Sequence, residues 1–136
     1  MQSADRPRNI NPDELAPARG YSHATVAGDT VWVGGQVGSD ATGKIVEPGD
    51  IVAQYGRAIH NVAIALRAAG FAPEDAVKLT YYVTDIKAYR DNRGALGVAY
   101  HEFFRNDYPA STLIEVRSLV DPAALIEIDA VAVRPK

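Results

Sequence analysis

Three acidic side chains stand among apolar residues near the C-terminal end of this 136-residue chain. Glu115 lies in one strand-like run, and Glu127 and Asp129 lie in a second run, IEIDAVAV. At the period of two that strands show, the two acids of the second run share one face, and isoleucine and alanine occupy the other. An ionised carboxylate buried without a partner costs several kcal/mol. Glu127 is therefore predicted to be paired, hydrogen-bonded, protonated or open to a water-filled cleft, and the cleft is the alternative with functional content.

The composition limits the class of protein and the kinds of site. With 47% hydrophobic and 23% charged residues, the chain matches one ordinary globular domain. The absence of cysteine excludes a disulfide scaffold, a thiolate metal site and a cysteine nucleophile. His23, His60 and His101 lack the spacing of metal ligands and are predicted to lie at the surface or at subunit contacts. We predict no metal site.

Charge and hydropathy bear on partners and location. A net charge of −3 gives no general attraction to nucleic acid or anionic lipid. Apolar runs are far shorter than the roughly 20 residues of a membrane helix, and the N-terminus lacks a signal-peptide pattern. We expect a cytoplasmic protein without nucleic-acid or membrane partners. The alternative is that Tyr81 and Tyr82 stack RNA bases on the sheet, although no basic stripe accompanies them.

The elements that must position Glu127 are predicted along the chain. Residues 1–20, which mix arginine with proline, are predicted to form an extended arm, and residues 21–136 a single domain. The run TVAGDTVWVGGQV predicts two strands about a Gly28-Asp29 turn, with the second strand ending at Gly34-Gly35, where another backbone or a ligand can approach closely. A helix is predicted from an N-cap at Asp50 to Gly70.

The second half of the chain completes an α+β pattern. The run VKLTYYVTDI predicts a central strand, and a second helix is predicted over 87–104 with a break near residues 90–94. Strands over 111–117 and 125–133 then give the order β-β-α-β-α-β-β, which predicts a mixed sheet with two helices on one face. Because apolar side chains supply both faces of that sheet, the uncovered face predicts a closed homo-oligomer whose sheet faces meet inside.

The chain resembles the Rid family, also called YjgF-like, in four successive segments. These are GYSHATVAGDTVWVGGQV, GRAIHNVAIALRAAGFAPEDAVKLTYYVTDI, YHEFF and PASTLIEVRSLVDPAALIEIDAVAV, within residues 19–134. The resemblance implies a chorismate-mutase-like protomer, a homotrimer and three clefts between subunits. It also implies the chemistry of the RidA enzymes, which hydrolyse imines and enamines to keto acids and ammonia without a cofactor.

The resemblance also implies roles for particular residues. Tyr21 matches the cleft tyrosine, and Glu127 matches the strand glutamate that positions or activates water. RidA has PARS where this chain has PAST, so Ser111 stands in place of the arginine that clamps the substrate carboxylate. Three further cleft positions differ from RidA, which has serine, asparagine and cysteine where this chain has Gly34, Gly97 and Leu113.

The missing arginine leaves two hypotheses open. Its two charge-assisted hydrogen bonds would contribute about 3 to 5 kcal/mol. That contribution is lost unless another arginine reaches the cleft, and the candidates are Arg19, Arg93, Arg105 and Arg117. The first hypothesis is a hydrolase that uses Glu127 and Tyr21 on an imine or enamine, with a specificity diverged from 2-iminopropanoate deaminase. The second is a non-catalytic trimer that binds a small carboxylate or stabilises a partner.

Overall fold

Alternating apolar residues and turn-forming residues build a six-stranded mixed sheet in the computed structural model, which describes residues 6–135. The strands are β1 (Arg8–Ile10), β2 (Ala24–Ala27), β3 (Thr30–Val37), β4 (Ala76–Val83), β5 (Ala110–Glu115) and β6 (Ile126–Val133). The helices are α1 (Ile51–Ala68), α2 (Ile86–Asp91) and α3 (Arg93–Phe104). The strand order is β1-β2-β3-β6-β4-β5, in which only β4 and β5 are parallel. The predicted α+β fold with a mixed sheet is confirmed, with β1 as an additional edge strand.

The first hairpin forms at the predicted turn. Gly28 has a φ of 59°, in the left-handed region that glycine adopts without steric cost, and it joins β2 to β3. The prediction that the second strand ends at the glycine pair is wrong, because β3 continues to Val37. The pairing of β3 with β6 shifts between Val33 and Gln36, so β3 carries one extra residue there. The glycine pair therefore lies inside the sheet.

The helices begin and end where the sequence indicates. The Asp50 carboxylate accepts the backbone N–H of Ala53 at 3.0 Å, and α1 ends just before Gly70, which has a φ of 86°. The second predicted helix is divided at Asn92, which confirms the break expected near residues 90–94. The Asn92 side chain donates to the carbonyl oxygen of Ala88 at 2.7 Å and so closes the end of α2.

The core lies between the helices and one face of the sheet. Ile126, Ile128 and Ala130 point to this face and are buried, as the period-two pattern predicts. The opposite face is partly apolar and exposed in the protomer, since Trp32 retains 49% and Ile114 44% of their accessible surface. The predicted homotrimer, in which this face would be covered, stays a prediction.

Gln54, in the first turn of α1, ties this helix to the segment that leads into β6. Its fully buried side-chain amide donates to the carbonyl oxygen of Ala123 at 3.2 Å and accepts the backbone N–H of Leu125 at 2.8 Å. The same Nε2 atom donates to the carbonyl oxygen of Glu47 at 3.3 Å. One side chain thus satisfies buried backbone groups of two loops, as the interior requires.

The described part of the predicted arm, residues 6–20, runs back along the sheet, and residues 1–5 lie outside the described residues. Residues 8–10 pair with β2, and Leu15 is buried in the core. The boundary of the arm at residue 20 stays a prediction. Within residues 6–135, none of the helices has the length and apolar content needed to cross a bilayer.

Candidate functional site

Glu127 is the second residue of β6 and points to the sheet face opposite the helices. Its carboxyl group lies directly over Gly35 of β3, where an added Cβ atom would stand 2.0 Å from Oε2 of Glu127. Only a residue without a Cβ atom can occupy position 35 while the carboxyl group remains in this place. The Glu127 carboxyl group therefore packs directly against the backbone of Gly35.

The surroundings of Glu127 favour its protonated form. Burial raises the pKa of Glu127, and the negative charge of nearby Asp129 raises it further. Within residues 6–135, no lysine or arginine of the protomer forms an ion pair with Glu127. Of the alternatives open to this acid, the protomer shows a half-buried carboxyl group at the edge of a cleft. A carboxylate whose pKa is raised accepts a proton more readily than an ordinary glutamate does, which suits a general base.

The cleft beside Glu127 has a volume of about 550 Å³. Its lining comes from residues 16–21 (Ala16, Pro17, Arg19, Tyr21), the sheet (Gly35, Val37, Glu127) and two loops (Ser39, Thr42, Gly43, Val120, Asp121). The two residues to which the resemblance assigns catalysis, Tyr21 and Glu127, thus line one cleft. Arg19 lines it as well and brings a cation to the same wall as Tyr21.

A buried histidine holds the arm in place beside the cleft. His23 is 5% exposed, and its Nε2 atom donates to the carbonyl oxygen of Ala16 at 2.6 Å. Its Nδ1 atom accepts from the buried amide of Gln36 at 3.1 Å, which assigns the neutral tautomer with the proton on Nε2. The edge of the Tyr21 ring packs against the His23 ring, with centroids 5.4 Å apart. The prediction of a surface or subunit-contact role is therefore wrong for His23.

Three of the predicted substrate-binding residues, Gly97, Ser111 and Leu113, line a second cavity of about 320 Å³. Ser111 and Leu113 pair with Leu79 and Tyr81 of β4, so they point to the helix side of the sheet, away from Glu127. The remaining lining residues are Tyr55, Tyr81, Tyr89, Arg93, Leu96, Tyr100 and Tyr108. We call this space the tyrosine cavity.

Most of the predicted site residues therefore lie in two separate spaces of the protomer, the cleft beside Glu127 and the tyrosine cavity. Gly34 lines neither space, because a Cβ atom there would point to the backbone oxygen of Ser22 at 3.2 Å. Arg105 and Arg117 line neither space, whereas Arg19 lines the cleft and Arg93 the tyrosine cavity. Glu115 lies exposed at the end of β5.

The tyrosines weighed as an RNA-stacking pair lie on opposite faces of the sheet. Tyr81 is 6% exposed and stacks on Tyr55, with parallel rings 6.1 Å apart. Tyr82 points to the other face and donates its hydroxyl proton to Asp129 at 3.0 Å. These two rings therefore do not form a joint platform for bases.

Sequence reasoning missed the roles of Gly35, Gln36 and the tyrosine cavity. For Gly35, the only sequence signal was the Gly34-Gly35 pair, and that pair does not indicate which glycine faces Glu127. The tyrosines of the cavity come from α1, β4, α2, α3 and the segment before β5. No local sequence pattern therefore predicts that they line one cavity.

Comparisons with known proteins agree with this architecture. The family model described as endoribonuclease L-PSP matches residues 11–134. A RutC family protein of Pyrococcus horikoshii is 34% identical over 122 residues, which cover 89% of this chain and 90% of that protein. The 2-iminobutanoate/2-iminopropanoate deaminase of Capra hircus is 32% identical over 135 residues, which cover 98% of this chain and 88% of that enzyme. The structure of E. coli TdcF with bound serine has a TM-score of 0.80 and 28% identity, covering 94% of this chain and 99% of that one. This chain belongs to the endoribonuclease L-PSP family, the group also called Rid, YjgF or RutC.

Proposed function

We propose that this protein hydrolyses a reactive imine or enamine without a cofactor, and that its specificity has diverged from that of 2-iminopropanoate deaminase. The observation that carries the proposal is Glu127, a half-buried carboxyl group with a raised pKa that shares an open cleft with Tyr21. The deaminase activity named for the Capra hircus relative supports the same reaction class. A site of this kind supplies a proton acceptor where water and a small substrate can enter.

The reaction that these residues support is the hydrolysis of a C=N bond. Ionised Glu127 takes a proton from water as the water oxygen bonds to the carbon of the C=N group, and it passes that proton to the nitrogen to give a neutral carbinolamine. Glu127, ionised again, takes the hydroxyl proton of the carbinolamine and passes it to the nitrogen as the C–N bond breaks, so that ammonia leaves and the carbonyl group forms. An enamine is first converted to the imine, when its carbon gains a proton and its nitrogen loses one. No electrons are transferred to or from another group, so the balance requires only water.

We further propose a homotrimer in which the cleft of one protomer faces the tyrosine cavity of the next. The exposed apolar residues Trp32 and Ile114 on the helix-free sheet face support such an assembly. It would also bring Glu127 of one subunit towards Ser111 of another, as the family resemblance implies. Light scattering should give three times the protomer mass, and a monomer would contradict the shared site.

Ser111 favours a second candidate, a trimer that binds a small carboxylate or stabilises a partner without catalysis. Without the guanidinium that fixes a carboxylate through two hydrogen bonds, a bound molecule is positioned less firmly for attack by water, which favours binding without turnover. The serine bound to E. coli TdcF shows that one related protein holds an amino acid. Binding alone therefore does not separate the two candidates, and turnover does.

The direct test uses imines generated in place by an amino-acid oxidase from small, aromatic and basic amino acids. The protein is expected to accelerate the disappearance of at least one imine class above its spontaneous hydrolysis, with ammonia and the keto acid as products. A protein of confirmed assembly that accelerates none of them would leave the binding role and contradict the deaminase.

The pH dependence of turnover follows from the pKa of Glu127. Because burial and Asp129 raise this pKa, the ionised base should be lost as the pH falls through a value above that of an ordinary glutamate. The pH at which kcat/KM falls on the acid side should therefore be higher than an ordinary glutamate would give. Asp129→Asn should move that fall to lower pH, because it removes a negative charge near Glu127. The sign for stability agrees: a carboxyl group whose folded pKa is raised makes the folded state less stable as the pH rises through that pKa. An acid limb that Asp129→Asn leaves in place would contradict the assignment.

A further inference from the structure

The tyrosine cavity combines aromatic walls with one cationic residue. Tyr55 and Tyr81 form one stacked pair, and the rings of Tyr100 and Tyr108 form another, with centroids 5.4 Å apart and planes 12° from parallel. Burial raises the pKa of Tyr81 to about 12 and also raises that of Tyr55, Tyr89 and Tyr100. These phenols are therefore uncharged at physiological pH, and the walls offer ring surfaces and neutral hydroxyl groups.

Arg93 supplies the charge of the cavity. Arg93 and Tyr89 line the cavity together, and the Arg93 charge opposes the rise that burial causes in the pKa of Tyr89. Within residues 6–135, no carboxylate of the protomer forms an ion pair with Arg93. Arg93 is also the first residue of α3, and no acidic residue lies in that first turn. A cation at a helix N-terminus opposes the helix dipole, so local helix stability does not explain this arginine.

The cavity has room for a ligand beside these groups. Gly97 on α3 has no heavy atom within 4 Å of the position that a Cβ atom would take, and Ser111 contributes only a short side chain. The volume of about 320 Å³ is near the lower end of the range that small-molecule sites occupy. Such a space suits a molecule with one aromatic ring and is small for a nucleotide.

We propose that the tyrosine cavity is the specificity pocket of the site, and that it takes the aromatic side chain and the carboxylate of an aromatic 2-imino acid. Arg93 holds the carboxylate, which is the task that Ser111 cannot perform, and the stacked tyrosines contact the ring of the substrate. This assignment rests on the proposed deaminase function. It predicts a preference for an aromatic over a small aliphatic substrate, because offset ring contacts add to the burial of apolar surface.

Phenylpyruvate and pyruvate, the keto acids from an aromatic and a small imine, are suitable probes for isothermal titration calorimetry. The wild-type protein is expected to bind phenylpyruvate at least about tenfold more tightly than pyruvate. Arg93→Met should weaken phenylpyruvate binding by about 10- to 100-fold, and Arg93→Lys should keep part of it because the charge remains without the two-pronged geometry. Arg90→Met, at an exposed position on α2 that lines neither space, is the matched control and should change little.

The outcomes separate this pocket from the proposed reaction. Equal affinity for the two keto acids, or an Arg93→Met variant that binds phenylpyruvate as the wild type does, overturns the pocket assignment. If phenylpyruvate binds through Arg93 while no imine is hydrolysed, the pocket assignment stands and the deaminase fails. If small imines are hydrolysed faster than aromatic ones and phenylpyruvate does not bind, the deaminase stands and the pocket assignment fails.

Discussion

Glu127→Gln is expected to lower kcat/KM for imine hydrolysis by about 10²- to 10⁴-fold, the usual contribution of a positioned general base. Glutamine keeps the size of the side chain and removes the atom that takes the proton from water. The rate of imine disappearance, measured for the variant and the wild type at equal protomer concentration, gives the loss directly. Circular dichroism and light scattering establish that the variant keeps its fold and assembly.

Asp129→Asn is the matched control for this substitution. It also removes one carboxylate from the same face of β6, two residues away, but asparagine can still accept the hydroxyl proton of Tyr82 through its side-chain oxygen. Activity should persist in this variant, with the acid-side fall of kcat/KM moved to lower pH. A comparable loss of kcat/KM in both variants would mean that activity needs the negative charge of both carboxylates on this face of β6. Glu127 would then not be the specific base.

Gly35→Ala is expected to reduce kcat/KM by about a hundredfold, because displacement of a catalytic group by roughly 1 Å has effects of that order. The new methyl group would stand 2.0 Å from Oε2 of Glu127, which is well inside contact distance. The flexible side chain of Glu127 can turn away, so the strand is expected to form while the carboxyl group leaves its place. Imine hydrolysis and a thermal unfolding curve together distinguish displacement of Glu127 from general unfolding.

A double variant tests whether Gly35 acts through Glu127. If Gly35 serves only to seat this carboxyl group, Gly35→Ala should reduce the residual activity of Glu127→Gln very little, since the two changes remove the same function. Losses that multiply in full would show that position 35 affects the cleft by another route.

Residues within one strand or turn were predictable because the physical signal for them is local. The alternation in IEIDAVAV placed Ile126 and Ile128 in the core and Glu127 on the other face, as the structure has them. The turn at Gly28 and the cap at Asp50 depend on the backbone freedom of one residue and on one side-chain hydrogen bond. Each of these signals lies within about five residues of the feature that it predicts.

Features that depend on distant pairing could not be predicted in the same way. The extra residue in β3 decides that Gly35, and not Gly34, lies under Glu127, and it exists only in the register of β3 against β6. His23 is buried because the arm returns over it and places the Ala16 carbonyl oxygen on its ring. No pattern around His23 itself contains that information.

The hydrogen bonds of Gln54 also affect which part of the cleft lining can move. Its buried amide joins Ala123 and Leu125 to α1, so the segment that leads into Glu127 shares the stability of the core. Residues 16–21 form another part of the cleft lining, and Arg19 and Tyr21 there are exposed. Local opening needs less free energy where fewer buried groups are lost, so the exposed stretch that carries Arg19 and Tyr21 should move more readily than β6 when a substrate enters. Glu127 would then stay in place while the Tyr21 side chain moves aside each time a substrate enters or a product leaves.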